Sequence, residues 1–122
     1  MAEPDHPILV VDDELPLLRA MEWVVADEGW HVDTAATGKE ALDRAAERRP
    51  ALVVLGMALP VVNGEGVASE LRSMYGDVPI IVVTADGRAE AKACRVGALG
   101  YLQKPFNLDE LVDLVRSGLR AF

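Results

Sequence analysis

The chain has 122 residues, of which 51% are hydrophobic and 26% are charged, and its formal net charge is -8. This length is enough for one domain with a buried core, and the composition is that of an ordinary globular protein. The negative charge argues against direct, sequence-independent binding to nucleic acid or to an anionic membrane surface.

The compartment can be inferred from three features of the sequence. Cys94 is the single cysteine, which excludes an intrachain disulfide and favours a reducing environment. The opening segment MAEPDHP lacks the basic and apolar regions of a secretory signal, and no apolar run approaches the roughly 20 residues of a membrane helix. We therefore expect a cytoplasmic protein in which residues 1–122 form a single domain.

Short apolar segments alternate with amphipathic segments along the chain. This alternation predicts an α/β fold in which a five-stranded parallel sheet carries helices on both faces. The apolar runs 52–55 and 80–83 show no polar alternation, which is typical of central strands buried on both faces. The predicted strands are residues 8–12, 31–35, 51–56, 79–84 and 99–103.

Local signals mark the ends of the predicted helices. Pro16 falls in the first turn of helix one, where its missing N–H costs nothing. Residues 37–40 (Thr-Gly-Lys-Glu) predict a capping box before helix two, and residues 107–110 (Asn-Leu-Asp-Glu) predict another before the last helix. Gly29 and Gly97 are expected just beyond the ends of helices one and four.

Helix one is predicted to expose a tryptophan. Leu18, Met21 and Val25 share one face at helical spacing, and Trp23 lies roughly opposite them. An exposed tryptophan can anchor a protein interface, but its ring can also lie flat over neighbouring aliphatic stems. The sequence leaves both interpretations open.

Five residues with special chemistry or conformation fall at the ends of four predicted strands. They are Asp12 and Asp13 at the end of the first strand, Gly56 and Thr84 at the ends of the third and fourth, and Lys104 just after the fifth. In an open parallel sheet, ligands bind beyond the carboxyl ends of the strands. We therefore expect these residues to lie together at one edge of the sheet.

This order of residues resembles the receiver domain of bacterial two-component response regulators. The resemblance rests on Asp-Asp, Gly-x-x-x-Pro, Thr-Ala and Lys-Pro, each after its own strand, and it spans essentially the whole chain. It implies a CheY-like, doubly wound sheet with strand order 2-1-3-4-5. It also implies a signalling protein, not an enzyme, whose partner is a histidine kinase, an output domain or another regulator.

The resemblance implies a metal site and a lysine contact at the strand ends. Asp12 and Asp13, with the backbone carbonyl of Ala58, would bind Mg²⁺, which prefers hard oxygen ligands. Lys104 would pair with the phosphoacceptor and then with the phosphoryl group. The peptide bond between Lys104 and Pro105 would be cis.

The resemblance also implies a switch. The Thr84 hydroxyl would bond a phosphoryl oxygen, and Tyr101 would be the aromatic residue that swings inward when Thr84 moves. Residues 86–90 form a shortened loop and the start of a shortened fourth helix compared with the family. Thr84 and Tyr101 are therefore expected to be held in one state.

Gly56 stands where the family has its phosphoacceptor aspartate. Without a nucleophile at this position no acyl phosphate can form there. One metal ligand and one negative charge are lost with it, so Mg²⁺ binding is expected to be weak at best and no cofactor is required. Lys104 is then free to pair with Asp12 or Asp13.

The leading hypothesis is an atypical receiver that acts in signal transduction through phosphorylation-independent protein–protein interaction. The expected surfaces are the helix 4–strand 5–helix 5 face with Tyr101, which many family members use to form homodimers, and helix one with Trp23. The sequence ends where the last helix is expected to end, which fits a stand-alone receiver or a piece of a longer regulator.

Two alternatives retain phosphoryl chemistry. In the first, the receiver is phosphorylated with Mg²⁺ at a displaced residue, namely Asp12, Asp13 or Thr84. In the second, the strand-end Asp12 is the nucleophile of a haloacid-dehalogenase-type phosphatase. The motif of those phosphatases requires a second aspartate where this chain has Glu14, so the receiver fits better.

Overall fold

A computed structural model describes residues 6–120 of the chain. The strands are β1 (Ile8–Val11), β2 (Val32–Ala35), β3 (Leu52–Gly56), β4 (Ile80–Thr84) and β5 (Gly100–Gln103). The helices are α1 (Leu15–Asp27), α2 (Gly38–Glu47), α3 (Gly64–Tyr75), α4 (Ala89–Val96) and α5 (Leu108–Arg120). All neighbouring strands are parallel, and their order is β2-β1-β3-β4-β5. The predicted fold and strand order are confirmed.

Each strand is one residue shorter than predicted, at the carboxyl end of β1 and at the amino end of the other four. Each of the five residues left out of the strands still makes one backbone hydrogen bond to a neighbouring strand segment. The amides of Asp12, Ala51 and Leu99 donate to Ala35, Pro7 and Ile80, and the carbonyls of His31 and Pro79 accept from Ile8 and Val53. The sequence therefore located the strands correctly but included residues that pair on one side only.

Burial of both faces of the sheet explains the unbroken apolar runs. Every residue of β1, β3 and β4 is buried. Alternate residues along these strands pack against α1 and α5 on one face, and the others pack against α2, α3 and α4 on the opposite face. Because the strands are parallel, their carboxyl ends meet at one edge of the sheet.

The predicted helix signals are present. Pro16 lies in the first turn of α1, and Thr37 Oγ1 accepts a hydrogen bond from the Glu40 amide at 3.1 Å. Gly29 and Gly97 have φ values of 94° and 68°, which favour glycine after a helix. No helix within residues 6–120 is long and apolar enough to cross a membrane.

Candidate functional site

The predicted site residues meet at the carboxyl edge of the sheet. Asp12 directly follows β1 and is only 1% exposed, while Thr84 ends β4 and is also buried. Gly56 ends β3 between these two strands. Lys104 follows β5, and its amide donates to the Thr84 carbonyl at 2.8 Å, which fixes the base of its side chain beside β4.

Lys104 bridges two carboxylates across this edge. Its Nζ lies 3.0 Å from Asp12 Oδ2 and 2.7 Å from Glu14 Oε1. The amide of Glu14 in turn donates to Asp12 Oδ1 at 2.9 Å. The expected pairing of Lys104 with Asp12 is thus observed, whereas the second partner is Glu14 and not Asp13, which lies exposed on the surface.

Sequence reasoning missed the role of Glu14. This residue is the N-cap of α1 and makes no side-chain cap hydrogen bond, so its carboxylate is available to Lys104. The signal that points to it is a third consecutive acidic residue at a helix N-terminus, where a negative charge is favoured.

The two carboxylates control the ionisation of Lys104. Burial disfavours the ammonium and by itself would lower its pKa, but hydrogen bonds and charge from Glu14 and Asp12 outweigh this effect. The pKa of Lys104 is therefore raised above its ordinary value. The lysine is a cation throughout the physiological pH range.

The Asp12 carboxylate lies against the open side of Gly56. A Cβ atom at position 56 would lie 3.0 Å from the Val11 carbonyl oxygen and 3.2 Å from Asp12 Oδ2, which is tighter than ordinary packing. Oδ2 itself has no partner with hydrogen-bond geometry, although Lys104 Nζ is 3.0 Å away and neutralises its charge. A larger residue at position 56 would therefore require the Asp12 side chain to shift.

One of the predicted Mg²⁺ ligands, Asp12, already faces a cation. Of the three predicted ligands, Asp12 has an ammonium against its carboxylate, while Asp13 and Ala58 are exposed. Mg²⁺ demands near-octahedral oxygen coordination. Within residues 6–120, no three acidic, histidine or cysteine side chains are grouped closely enough to hold a metal ion.

Thr84 and Tyr101 both make local hydrogen bonds. Thr84 Oγ1 accepts from the Asp86 amide at 3.1 Å. Tyr101 points outward from β5 with 42% of its surface exposed, and its hydroxyl donates to Glu90 Oε2 on α4 at 3.2 Å. The Tyr101 ring thus lies at the surface and is hydrogen-bonded to α4. The Thr84 hydroxyl is hydrogen-bonded to the loop before α4.

The contact with Glu90 gives a testable ionisation behaviour. The hydrogen bond to Glu90 and the charge of that carboxylate raise the pKa of Tyr101 above its ordinary value. We expect Glu90→Gln to lower the pKa of Tyr101, measured by the ultraviolet absorbance of phenolate during an alkaline titration. Tyr101→Phe identifies which transition belongs to Tyr101 and which to Tyr75. An unchanged midpoint in Glu90→Gln would show that the two side chains do not interact in solution.

Helix α4 is the shortest of the helices within residues 6–120 and is tied down at both ends. Before its first turn, Asp86 pairs with Lys92 at 3.4 Å. At its carboxyl end, the Arg72 guanidinium of α3 donates to the carbonyls of Val96 and Gly97. These contacts satisfy carbonyl groups that a helix end leaves without partners and fix the position of α4 against α3.

The exposed apolar side chains include both predicted interface residues. Trp23 on α1 is 71% exposed, as its helical position predicted, and Leu99 and Tyr101 are exposed on and beside β5. Val61, in the loop between β3 and α3, is fully exposed and has a φ of 64°. That conformation is unfavourable for a β-branched residue, so this loop presents an apolar side chain from a strained backbone.

The fold and this polar edge define a CheY-like domain. A protein-family model described as the response regulator receiver domain matches residues 8–116. The chain therefore belongs to the response regulator receiver domain family, whose members are not enzymes in the usual sense.

Curated relatives of similar sequence are regulators. The transcriptional regulatory protein PrrA of Mycobacterium leprae is 41% identical over 115 residues, which are 93% of this chain and 49% of that protein. The probable transcriptional regulator ycf27 of Porphyra purpurea is 41% identical over 122 residues, covering 98% of this chain and 50% of that protein. The chain spans about half the length of the curated relatives it matches.

Solved receiver structures superpose closely on the whole domain. A CheY-like receiver domain protein from Methanospirillum hungatei has a TM-score of 0.87 at 25% identity, covering 95% of this chain and 94% of that one. The response regulator TrrA of Thermotoga maritima, in complex with Mg²⁺-BeF, has a TM-score of 0.82 at 34% identity, covering 93% and 98%.

Proposed function

We propose that this receiver domain acts in two-component signalling through protein contacts that do not require its own phosphorylation. The observation that carries the proposal is Gly56 at the end of β3, in the position that the resemblance assigns to the phosphoacceptor. Its neighbours Leu55, Met57 and Ala58 offer no replacement nucleophile. Asp12, the buried carboxylate nearest to Gly56, is already paired with Lys104.

The contacts that hold Thr84, Tyr101 and α4 support the same function. Thr84 bonds to the loop before α4, and Tyr101 bonds to α4 itself on the outer surface. Helix α4 is held against α3 by Arg72. We propose that these contacts, with the Thr84 hydroxyl bonded and Tyr101 outward, favour one surface for a partner.

The surface formed by α4, β5 and α5 is the proposed contact area for a partner. It carries Tyr101 and Leu99, both exposed, and lies on the side where α4 is fixed. Trp23 on α1 offers a second, separate anchor. The occupant of the first surface would be a second copy of the domain, an output domain or another regulator, and a histidine kinase is the further candidate partner.

We further propose a role in the control of transcription, which the names of the relatives support. The PrrA and ycf27 proteins that match are named as transcriptional regulators, and this domain matches half of each. We propose that any contact with DNA is made by another domain or protein, because the net charge of -8 disfavours binding of this domain to a polyanion.

The test is the intact mass of the wild type and of Gly56→Asp after incubation with a small phosphodonor and Mg²⁺. We expect no phosphoryl adduct on the wild type, and partner binding that is the same with and without donor. A phosphoryl adduct on the wild type would refute the proposal and direct attention to Asp12, Asp13 and Thr84.

The Gly56→Asp variant separates two causes of the expected lack of phosphorylation in the wild type. If this variant gains one phosphoryl group, the missing carboxylate alone accounts for the inactivity of the wild type. If it gains none, the residues around position 56 also prevent phosphorylation. The close approach of Asp12 Oδ2 to this position would be one reason. Both results agree with phosphorylation-independent action of the wild type.

A further inference from the structure

We propose that the ammonium group of Lys104, held by Glu14, is the permanent cation of this site and excludes divalent metal ions from it. The inference concerns metal binding and goes beyond the proposed function, because a domain that is never phosphorylated can still bind Mg²⁺. Its test contains no phosphodonor, so the two proposals can fail separately.

The site needs a positive charge. Asp12 is 1% exposed, and a carboxylate removed from water in this way is costly unless a cation or several hydrogen bonds compensate it. The amide of Glu14 supplies one hydrogen bond to Oδ1. Oδ2 has no hydrogen-bond partner of its own, so its charge must be balanced by an ion.

Lys104 meets that need directly. Its Nζ lies 3.2 Å from Asp12 Oδ1 and 3.0 Å from Oδ2, so the ammonium faces both oxygens of the carboxylate. A divalent cation bound to the same oxygens would lie close to this ammonium, and the two positive charges would repel each other in a partly buried site. The lysine and a metal ion are therefore alternatives at Asp12.

Glu14 positions the lysine. Its Oε1 lies 2.7 Å from Lys104 Nζ, on the solvent side of the ammonium, with 59% of the Glu14 side chain exposed. At the backbone, the Lys104 amide donates a hydrogen bond to the Thr84 carbonyl. The ammonium is thus held between a buried and an exposed carboxylate, and Glu14 adds a second attraction that favours its position beside Asp12.

Few donors would remain for a metal ion that displaced Lys104. Asp13 lies at the surface, and position 56 has no side chain to contribute. A divalent ion would rely on Asp12, Asp13 and the backbone carbonyl of Ala58, with water completing the shell. Removal of the lysine charge should make this set usable, because Asp12 then lacks any other cation.

The experiment compares thermal unfolding with and without about 10 mM Mg²⁺ for the wild type, Lys104→Met and Lys104→Gln. We expect no change in the wild type and an upward shift of at least about 3 °C in both variants, since a ligand that binds only the folded state stabilises it. Lys104→Gln keeps a hydrogen-bond donor beside Asp12 and serves if Lys104→Met does not fold.

Lys92→Met is the matched control. Lys92 pairs with Asp86 at 3.4 Å, and its side chain is 21% exposed, close to the 17% of Lys104. Its ion pair with Asp86 does not involve Asp12. We expect no effect of Mg²⁺ on its unfolding temperature. An upward shift in this control equal to that of the Lys104 variants would overturn the proposal, because the effect would then follow from lost positive charge anywhere.

Paramagnetic Mn²⁺ locates the bound ion independently of stability. We expect it to broaden the amide resonances of Asp13 and Met57 in the Lys104 variants and to leave them sharp in the wild type. Selective broadening in the wild type, or a Mg²⁺ shift in its unfolding temperature, would overturn the proposal. So would Lys104 variants that respond to neither ion, since the lysine would not then be what keeps metal out.

Discussion

Lys104→Met is expected to lower the free energy of unfolding by about 3 kcal/mol in metal-free buffer, because it leaves the Asp12 charge buried without a partner. This loss of stability lies at the low end for a broken buried ion pair. The Lys104 side chain is 17% exposed and that of Glu14 is 59% exposed, so water partly screens the interaction. Denaturant unfolding with an unchanged m-value is the measurement.

A double-mutant cycle with Asp12→Asn separates the pair from its surroundings. We expect the double variant to be more stable than Lys104→Met alone, since no uncompensated charge remains, with an interaction energy of about 1–3 kcal/mol. Additive effects of the two substitutions would mean that the 3.0 Å contact between Nζ and Oδ2 does not stabilise the domain.

Gly64→Ala is expected to cost about 3 kcal/mol, at the upper end for an overpacked site. Gly64 opens α3 where the loop after β3 folds back on the end of the strand. A Cβ atom there would lie 2.6 Å from Met57 Sδ and 2.8 Å from the Gly56 carbonyl oxygen. The carbonyl belongs to the buried end of β3 and cannot move without disturbing the sheet.

Gly66→Ala provides the comparison within the same helix turn. Its added Cβ would meet the Val62 Cγ1 atom at 3.3 Å and Asn63 Oδ1 at 3.7 Å, and both are side-chain ends, not backbone. Alanine is the better helix former by about 1 kcal/mol, so we expect an effect between zero and a gain of about that size. Thermal or denaturant unfolding of the two variants side by side checks the prediction. Equal losses would indicate that α3 rejects any side chain near its start.

Much of the fold follows from sequence because the signals are local or periodic. The unbroken apolar run of β4 requires burial on both faces, and the Thr37 cap and Gly97 need only their own helix ends. The first and last residues of the strands were harder to predict from the sequence, because the terminal backbone hydrogen bonds of a strand depend on its neighbouring strand. Leu99, for example, bonds to Ile80 although it lies outside β5.

The candidate site was predicted in its position and only partly in its contacts. Parallel strands oblige Asp12, Gly56 and Thr84 to meet at one edge, and Lys104 follows from the same rule. Which carboxylates the flexible lysine reaches depends on rotamers and on the start of α1. The sequence therefore left Asp12 and Asp13 open as partners, of which Lys104 contacts Asp12, and it missed Glu14. The hydrogen bond from Tyr101 to Glu90 likewise depends on how α4 lies beside β5.

The strand order also bears on the tendency of this protein to aggregate. The long apolar strands β3 and β4 are flanked on both sides, whereas the edges of the sheet are β2 and β5, each only four residues long. Short edges, one of them carrying Asp33, offer little backbone for pairing with another chain. The segments most able to form intermolecular β-structure are thus enclosed, and the net charge of -8 adds repulsion between molecules.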